Sequence, residues 1–139
     1  MIILTGYKGF IGQAFEKRLD PENVYRVEQS GAFDFLNQYD KWDEVEMILH
    51  QGAISSTTET DVNKIHKYNV EFSIALFEKA IEYSIPVKYA SSASVYGKIH
   101  SEYGYLKKTI NPLNFYALSK ATVDYWVLDN MDRFEQVQG

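Results

Sequence analysis

The sequence predicts an α/β fold in which a parallel sheet carries helices on both faces. Short apolar runs alternate with longer segments whose apolar residues recur at helical spacing, and this alternation is typical of parallel sheets. A glycine-containing turn, TGYKGFIG (Thr5–Gly12), joins the first apolar run to the first helical segment. With 139 residues, 45% of them hydrophobic, the chain is long enough for one core, so we expect one domain over residues 1–139.

The elements of the first half follow in a regular order. Met1–Leu4 is the first strand, and the helix after it ends at Asp20-Pro21. Val24–Glu28 and Val45–His50 are the next two strands, and the polar stretch Asp34–Glu44 between them predicts a loop and a short helix. The apolar stripe of the first helix consists of Ile11, Ala14, Phe15 and Leu19.

The second half continues the alternation. A long helix stops before Ile85-Pro86, Val87–Ser91 is a fourth strand, and a last helix follows a loop that contains Gly and Pro. The stripe of the long helix consists of Ile65, Tyr68, Phe72, Leu76, Ala80 and Tyr83, and that of the last helix of Leu118, Ala121, Tyr125 and Leu128. No internal repeat or linker interrupts this order.

The composition excludes several classes of function. The 14 basic and 19 acidic side chains give a net charge of −5 without long blocks of one sign, which argues against a nucleic acid or an anionic membrane as partner. No apolar stretch is long enough to span a membrane, and no signal peptide is apparent. The absence of cysteine fits a cytoplasmic protein, and the three histidines lack the spacing of metal ligands, so we expect no metal site.

The glycine turn has a chemical interpretation and a purely structural one. Gly6 permits a tight turn, Gly9 lets the backbone approach a pyrophosphate, and Gly12 lets the helix pack closely on the sheet. The spacing is G-x-x-G-x-x-G and not the usual G-x-G-x-x-G, so a turn without a ligand is the alternative. Glu28 closes the second strand, where an acid would bind the adenosine ribose, although an ordinary surface acid fits the sequence equally well.

A tyrosine and a lysine four residues apart, Tyr116 and Lys120, share one face of the last helix. An ammonium beside a phenol favours the phenolate, so Tyr116 is a candidate to exchange a proton with a sugar while a nicotinamide exchanges hydride. Tyr103 and Lys107 have the same spacing, but their loop setting and an intervening glycine disfavour a rigid pair. Ser92, in SSASVYG at the end of the fourth strand, would bind the same substrate oxygen, unless these small residues only fill a tight turn.

TGYKGFIG, the strand end HQGA (His50–Ala53), Asn69, SSASVYG and YALSK occur in an order that closely resembles the extended short-chain dehydrogenase/reductase family. The resemblance spans nearly the whole chain and implies a Rossmann-like doubly wound sheet with NAD or NADP as cofactor. The loops HQGAISSTTETD and PLNFYALSK look like those of family members that epimerise an ADP-heptose. The implied activity is that of a nucleotide-sugar epimerase, which oxidises one sugar carbon transiently and reduces it again.

The family pattern also implies roles for individual residues. The catalytic residues would be Ser92, Tyr116 and Lys120, and the substrate would contact Ser55, Ser56 and Ser92. Glu28 would bind the adenosine ribose and Asp34 the adenine. The full set expected to bind or support the cofactor is Gly6, Gly9, Phe10, Ile11, Gly12, Glu28, Asp34, Gly52, Ala53, Asn69, Ser91, Tyr116 and Lys120.

Some features depart from the family pattern or leave alternatives open. Lys8 replaces a small residue in the turn and would contact a phosphate or point to solvent. Glu28 favours NAD, whereas Arg26, Lys8 and the heptose-epimerase resemblance favour NADP. The lack of an acidic pair beside Ser92 weighs against a dehydratase.

The family pattern also bears on the extent of the chain. Family members continue with further strands and a substrate domain, so we expect a sheet truncated before these elements. The exposed sheet edge would favour a homo-oligomer. The chain is then either the catalytic half of an enzyme or a non-catalytic dinucleotide-binding or assembly module.

Overall fold

The computed structural model of the chain describes residues 1–56, 58–97 and 110–139. Its strands are β1 (Ile2–Thr5), β2 (Val24–Val27), β3 (Met47–His50), β4 (Val87–Tyr89) and β5 (Val137–Gln138). Its helices are α1 (Phe10–Glu16), α2 (Ala32–Gln38), α3 (Val62–Ile65), α4 (Phe72–Glu82) and α5 (Phe115–Asp129), and the π-helical residues His66–Glu71 join α3 to α4. The five strands form one parallel sheet in the order β2-β1-β3-β4-β5.

The two faces of the sheet are covered by different helices. Ile3 and Ile48 contribute to the larger core, where they pack with residues of α2, α4 and α5. The next residues along the same strands, Leu4 and Leu49, lie in a smaller core against Phe15 of α1. Successive side chains of a strand point to opposite faces, so each apolar strand supplies both cores. The predicted Rossmann-like, doubly wound parallel sheet is therefore confirmed.

Two elements differ from the prediction near the ends of the chain. The short strand β5 was not predicted, because its two residues are too few to show an alternating pattern. Helix α1 ends at Glu16, and the predicted stripe residue Ile11 is 55% exposed. Phe15 does pack against the sheet, whereas Ile11 borders the cleft described below.

The buried face of α5 was predicted only in part, because Ala121 is buried as expected but Leu118 is not. Leu118 is 51% exposed, whereas Lys120 and Asp124 are buried together with Val123 and Val127. A prediction from apolar spacing assigns charged residues to the solvent side and so places the face wrongly. Lysine and aspartate are rarely buried unless they are paired or functional, so this face of α5 is a candidate site.

The polar stretch between β2 and β3 is more helical than predicted. Helix α2 begins at Ala32, and Trp42–Glu44 form a short 3₁₀ turn.

The alternative pair Tyr103 and Lys107 lies outside the described residues. Within the described ranges, no helix is long and apolar enough to cross a membrane.

Candidate functional site

The turn between β1 and α1 depends on two glycines. Gly6 has a φ of +67°, and a Cβ there would lie 2.6 Å from the Cα of Gly52. A Cβ at Gly12 would overlap the carbonyl oxygen of Gly6, so Gly12 lets α1 pack tightly against the turn itself. The bare backbone of this turn therefore lies close to the loop after β3.

A cleft of about 400 Å³ opens at the carboxyl ends of the strands. It lies where the strand order reverses between β1 and β3, which is the usual ligand position in open α/β sheets. The glycine turn, the ends of β2 and β4, the loop after β3 and the start of α5 contribute to its walls. The predicted site residues that line it are Gly6, Gly9, Phe10, Ile11, Gly12, Glu28, Gly52, Ala53, Ser55, Ser91, Tyr116 and Lys120.

Tyr116 and Lys120 both reach the cleft from α5. The helix starts directly before them, because the Asn114 side chain accepts a hydrogen bond of 2.7 Å from the N–H of Ala117. Lys120 is only 3% exposed, and burial lowers its pKa to about 8 although the negative charge of Asp124 opposes the shift. Lys120 is thus a cation at neutral pH whose proton is held less firmly than that of a surface lysine.

A chain of buried hydrogen bonds runs behind the cleft. The N–H of Gly52 donates to Thr5 Oγ1 (2.9 Å), which contacts His50 Nδ1 (2.7 Å). His50 Nε2 contacts Ser73 Oγ (2.7 Å), and Ser73 donates to the carbonyl of Asn69 (2.8 Å). Burial, aided by the charge of Lys120, lowers the pKa of His50 to about 3, so the ring is neutral.

The direction of each bond in this chain follows from counting protons. Ser73 gives its only hydroxyl proton to Asn69, so it accepts from the Nε2–H of His50. The Nδ1 of the neutral ring is then an acceptor, and Thr5 donates to it. Thr5 Oγ1 therefore accepts the hydrogen bond of the Gly52 N–H, and each side chain in this series of hydrogen bonds has its partners.

Asn69 connects this chain to α5. Its side-chain oxygen accepts from the N–H of Ile54 (2.7 Å), and its amide donates to the carbonyl of Ile54 and to Ser119 Oγ (3.0 Å each). Ser119 in turn donates to the carbonyl of Tyr116 (2.7 Å). Asn69 does not line the cleft, but it holds the loop after β3 against the helix that carries Tyr116 and Lys120.

A second cavity of about 750 Å³ adjoins the cleft and shares Ser91 with it. Ser92 lines this second cavity and not the first, and its Oγ lies 2.8 Å from Ser94 Oγ. Ser91 donates to Asp124 Oδ2 (2.5 Å), and Tyr89 donates to Asp124 Oδ1 (2.7 Å). The predicted pair Tyr116 and Lys120 thus lines the cleft, the predicted Ser92 lines the adjoining cavity, and Ser91 lines both.

Three predicted features have a different setting from the rest. Asp34 is exposed on α2 and does not line the cleft, and Ser56 bonds with Thr58 outside it (3.1 Å). The Lys8 side chain is 67% exposed, and its Nζ lies 3.4 Å from Glu28 Oε2, a carboxylate that raises the pKa of Lys8. An ion pair therefore spans the end of the cleft formed by the glycine turn and β2.

The sequence reasoning missed the buried polar residues Thr5, His50, Ser73 and Asp124. A signal was available for the first two, because both are polar ends of apolar strands and they are register partners in the sheet. Ser73 and Asp124 had no comparable signal, since both lie within helices and not at the polar end of an apolar strand. Among the described residues, no cluster of three or more His, Cys, Asp or Glu residues is arranged to hold a metal ion.

Comparisons with known proteins show the family and the fold of the chain. The model of the NAD dependent epimerase/dehydratase family matches residues 2–137. The structure of the ADP-L-glycero-D-manno-heptose-6-epimerase of Helicobacter pylori is 25% identical, with a TM-score of 0.73 over 97% of this chain and 52% of that chain.

Two further structures are more distant in sequence and similar in fold. A UDP-N-acetylglucosamine 4-epimerase of Methanobrevibacter ruminantium has a TM-score of 0.80 at 19% identity, over 97% of this chain and 51% of that chain. The UDP-glucose 4-epimerase of Thermus thermophilus, in complex with NAD, has a TM-score of 0.74 at 17% identity, over 97% and 52%. The chain thus spans about half the length of these proteins. It belongs to the NAD dependent epimerase/dehydratase family.

Proposed function

We propose that this chain is the dinucleotide-binding and catalytic half of an NAD(P)-dependent nucleotide-sugar epimerase. The observation that carries the proposal is the single cleft in which the glycine turn meets Tyr116 and Lys120. A parallel sheet requires only a turn at this place. A tyrosine and a lysine that can transfer a proton, beside a glycine turn open to a pyrophosphate, are what a reaction with a dinucleotide requires.

The residues present fit a dinucleotide. Gly6 and Gly12 let the turn pack closely against Gly52 and against α1, and Gly9 has no side chain where it lines the cleft, so the backbone there is open to a pyrophosphate. Glu28 marks the adenosine end of the cleft, and the α5 residues mark the nicotinamide end. When bound, the dinucleotide supplies the acceptor and donor of hydride.

The side chains at the α5 end divide the remaining work. Tyr116 moves a proton to or from the sugar oxygen, and the Lys120 ammonium stabilises negative charge there and holds the ribose. Ser92 donates to or accepts from the same oxygen from the adjoining cavity. Asn69 and Ser119 fix the first turn of α5 on which this geometry depends.

The ion pair between Lys8 and Glu28 bears on the choice between NAD and NADP. A carboxylate accepts bonds from the ribose hydroxyls and repels a 2′-phosphate. Lys8 neutralises part of that charge at 3.4 Å. We therefore infer that NAD binds more tightly, but that the discrimination against NADP is moderate.

For the substrate we propose an ADP-heptose-like nucleotide sugar. The support is the likeness of HQGAISSTTETD and PLNFYALSK to the loops of heptose epimerases, together with the structural likeness to the Helicobacter pylori enzyme. In this assignment Ser55 and Ser56 contact the substrate. Ser55 lines the cleft, and Ser56 is its exposed neighbour on the same loop.

Calorimetric titration with NAD and NADP, followed by an epimerisation assay on ADP-heptose, tests the proposal. In the full-length context, Tyr116→Phe should leave the affinity for NAD nearly unchanged and reduce turnover about a hundred- to ten-thousand-fold. Tyr103→Phe is the matched control and should keep turnover. Lys120→Met should weaken both binding and turnover.

The outcomes separate the alternatives. No saturable binding of either cofactor at millimolar concentration would refute the proposal. Turnover lost in Tyr103→Phe and kept in Tyr116→Phe would show that the wrong tyrosine was chosen. Association that depends on NAD, without turnover even in the full-length context, would instead support a non-catalytic assembly module.

A further inference from the structure

Asp124 is a buried carboxylate that the function described above does not use. It is 8% exposed and lies one helical turn after Lys120. Its two oxygens accept hydrogen bonds from different residues of the β4 end, Tyr89 at 2.7 Å and Ser91 at 2.5 Å. The carboxylate therefore fastens the strand end to α5 at the border between the two cavities.

These bonds fix the direction of the Ser91 hydroxyl. A serine has one proton to donate, and Ser91 gives it to Asp124 Oδ2. Its oxygen retains only lone pairs for the cleft that it lines. A ligand group that meets Ser91 must consequently be a donor, such as an amide N–H or a hydroxyl.

We propose that Asp124 is a positioning residue that makes Ser91 an obligate hydrogen-bond acceptor, so that the nicotinamide end of the cleft selects a ring carrying an amide donor. This inference rests on the proposed function, because that function places the nicotinamide beside Tyr116 and Lys120. Asp124 itself touches neither substrate nor cofactor in this scheme. Its effect on the choice of ring is exerted through Ser91.

Replacing Asp124 by asparagine keeps the shape of the side chain but replaces one accepting oxygen by an amide group that donates hydrogen bonds. The asparagine oxygen can still accept from Tyr89, and its amide can donate to Ser91. Ser91 is then free to turn its own proton into the cleft. A ligand carbonyl becomes as acceptable there as a ligand amide.

The experiment compares NAD with 3-acetylpyridine adenine dinucleotide, in which a methyl group replaces the amide nitrogen of the ring substituent. Calorimetry on the unaltered chain should show NAD binding about tenfold more tightly than the analogue, which is the effect of one hydrogen bond. In Asp124→Asn the ratio should fall towards one. Asp124→Glu keeps a carboxylate and should restore most of the preference.

Tyr89→Phe is the matched control, because it removes one bond to Asp124 and leaves the bond to Ser91. It should keep the ratio of the unaltered chain. An equal loss of preference in Tyr89→Phe and Asp124→Asn would overturn the inference, since it would show that Asp124 only fastens β4 to α5. A ratio that Asp124→Asn leaves unchanged would overturn it as well.

Two further results keep the test decisive. If Asp124→Asn does not fold, Ser91→Ala answers the same question, because it should weaken NAD about tenfold and leave the analogue unaffected. Equal weakening of both ligands by Ser91→Ala would contradict the inference. Failure of the unaltered chain to bind NAD at all would instead refute the proposed function.

Discussion

The buried imidazole of His50 makes the stability of the chain depend on pH in a predictable way. The side chain is 1% exposed, and its pKa is lowered from 6.5 to about 3 by burial and by the charge of Lys120. Above pH 6.5 the ring is neutral in both the folded and the unfolded chain. Below pH 6.5 the unfolded chain takes up a proton that the folded chain refuses, so stability is lost as the pH falls towards 3.

The size of the effect between pH 8 and pH 5 depends on the unfolded state alone, because the pKa of the folded state lies well below 5. With a pKa near 6.5 in the unfolded state, His50 lowers the unfolding free energy by about 2 kcal/mol as the pH falls from 8 to 5. His50→Gln should be less stable than the unaltered chain at pH 8, because it disturbs the bonds to Thr5 and Ser73. Between pH 8 and pH 5, the unfolding free energy of His50→Gln should fall by about 2 kcal/mol less than that of the unaltered chain.

Urea unfolding at several pH values, followed by circular dichroism, measures these free energies. His66→Gln is the control, since His66 is exposed and pairs only with Glu71 across 3.4 Å among the contacts of the described residues. It should keep the loss of stability that the His50 ring causes between pH 8 and pH 5, because that ring is intact. Parallel curves for His50→Gln and the unaltered chain would refute the assignment of a buried neutral ring.

Three more predictions concern the cleft. Gly12→Ala should lower the unfolding free energy in urea by about 1–3 kcal/mol, because its methyl group would overlap the Gly6 carbonyl. Gly31→Ala is the control: nothing lies within 4 Å of its new methyl group, so it should be neutral or slightly stabilising. Glu28→Ala should shift the NAD/NADP affinity ratio towards NADP in calorimetry, and an unchanged ratio would remove Glu28 from cofactor choice. Asp124→Asn should lower the pKa of Lys120 further below 8, because the Asp124 carboxylate opposes the effect of burial. NMR titration of the lysine side chain measures this pKa, and a titration midpoint that does not move would contradict the prediction.

The architecture was predictable because its signals are local. Each central strand is an apolar run, and the turn glycines directly follow the first strand, so fold and cleft could be read from neighbouring residues. The pair Tyr116 and Lys120 was accessible for the same reason, because helical spacing places both on one face. Both reach the same cleft.

The features that were not predictable depend on contacts between distant residues. The partner of Lys8 is twenty positions away, directly after β2, and the partners of Asp124 lie at the end of β4 and just beyond it. Apolar spacing also misjudged α5, because it treats a buried lysine and a buried aspartate as solvent-facing. Asp34 was assigned to the adenine from a family alignment, and α2 instead carries it on an exposed surface.

The central claim is that a dinucleotide binds in the cleft between the glycine turn and α5, and NMR titration of the isotope-labelled chain with NAD tests it most directly. We predict saturable shifts for the backbone amides of Gly6, Gly9, Gly52 and Ser91, which line the cleft. The amides of Asn23 and Val45, at the opposite ends of the strands, should not move. Saturable binding that shifts only the second group, or no saturable shift at millimolar NAD, would contradict the account.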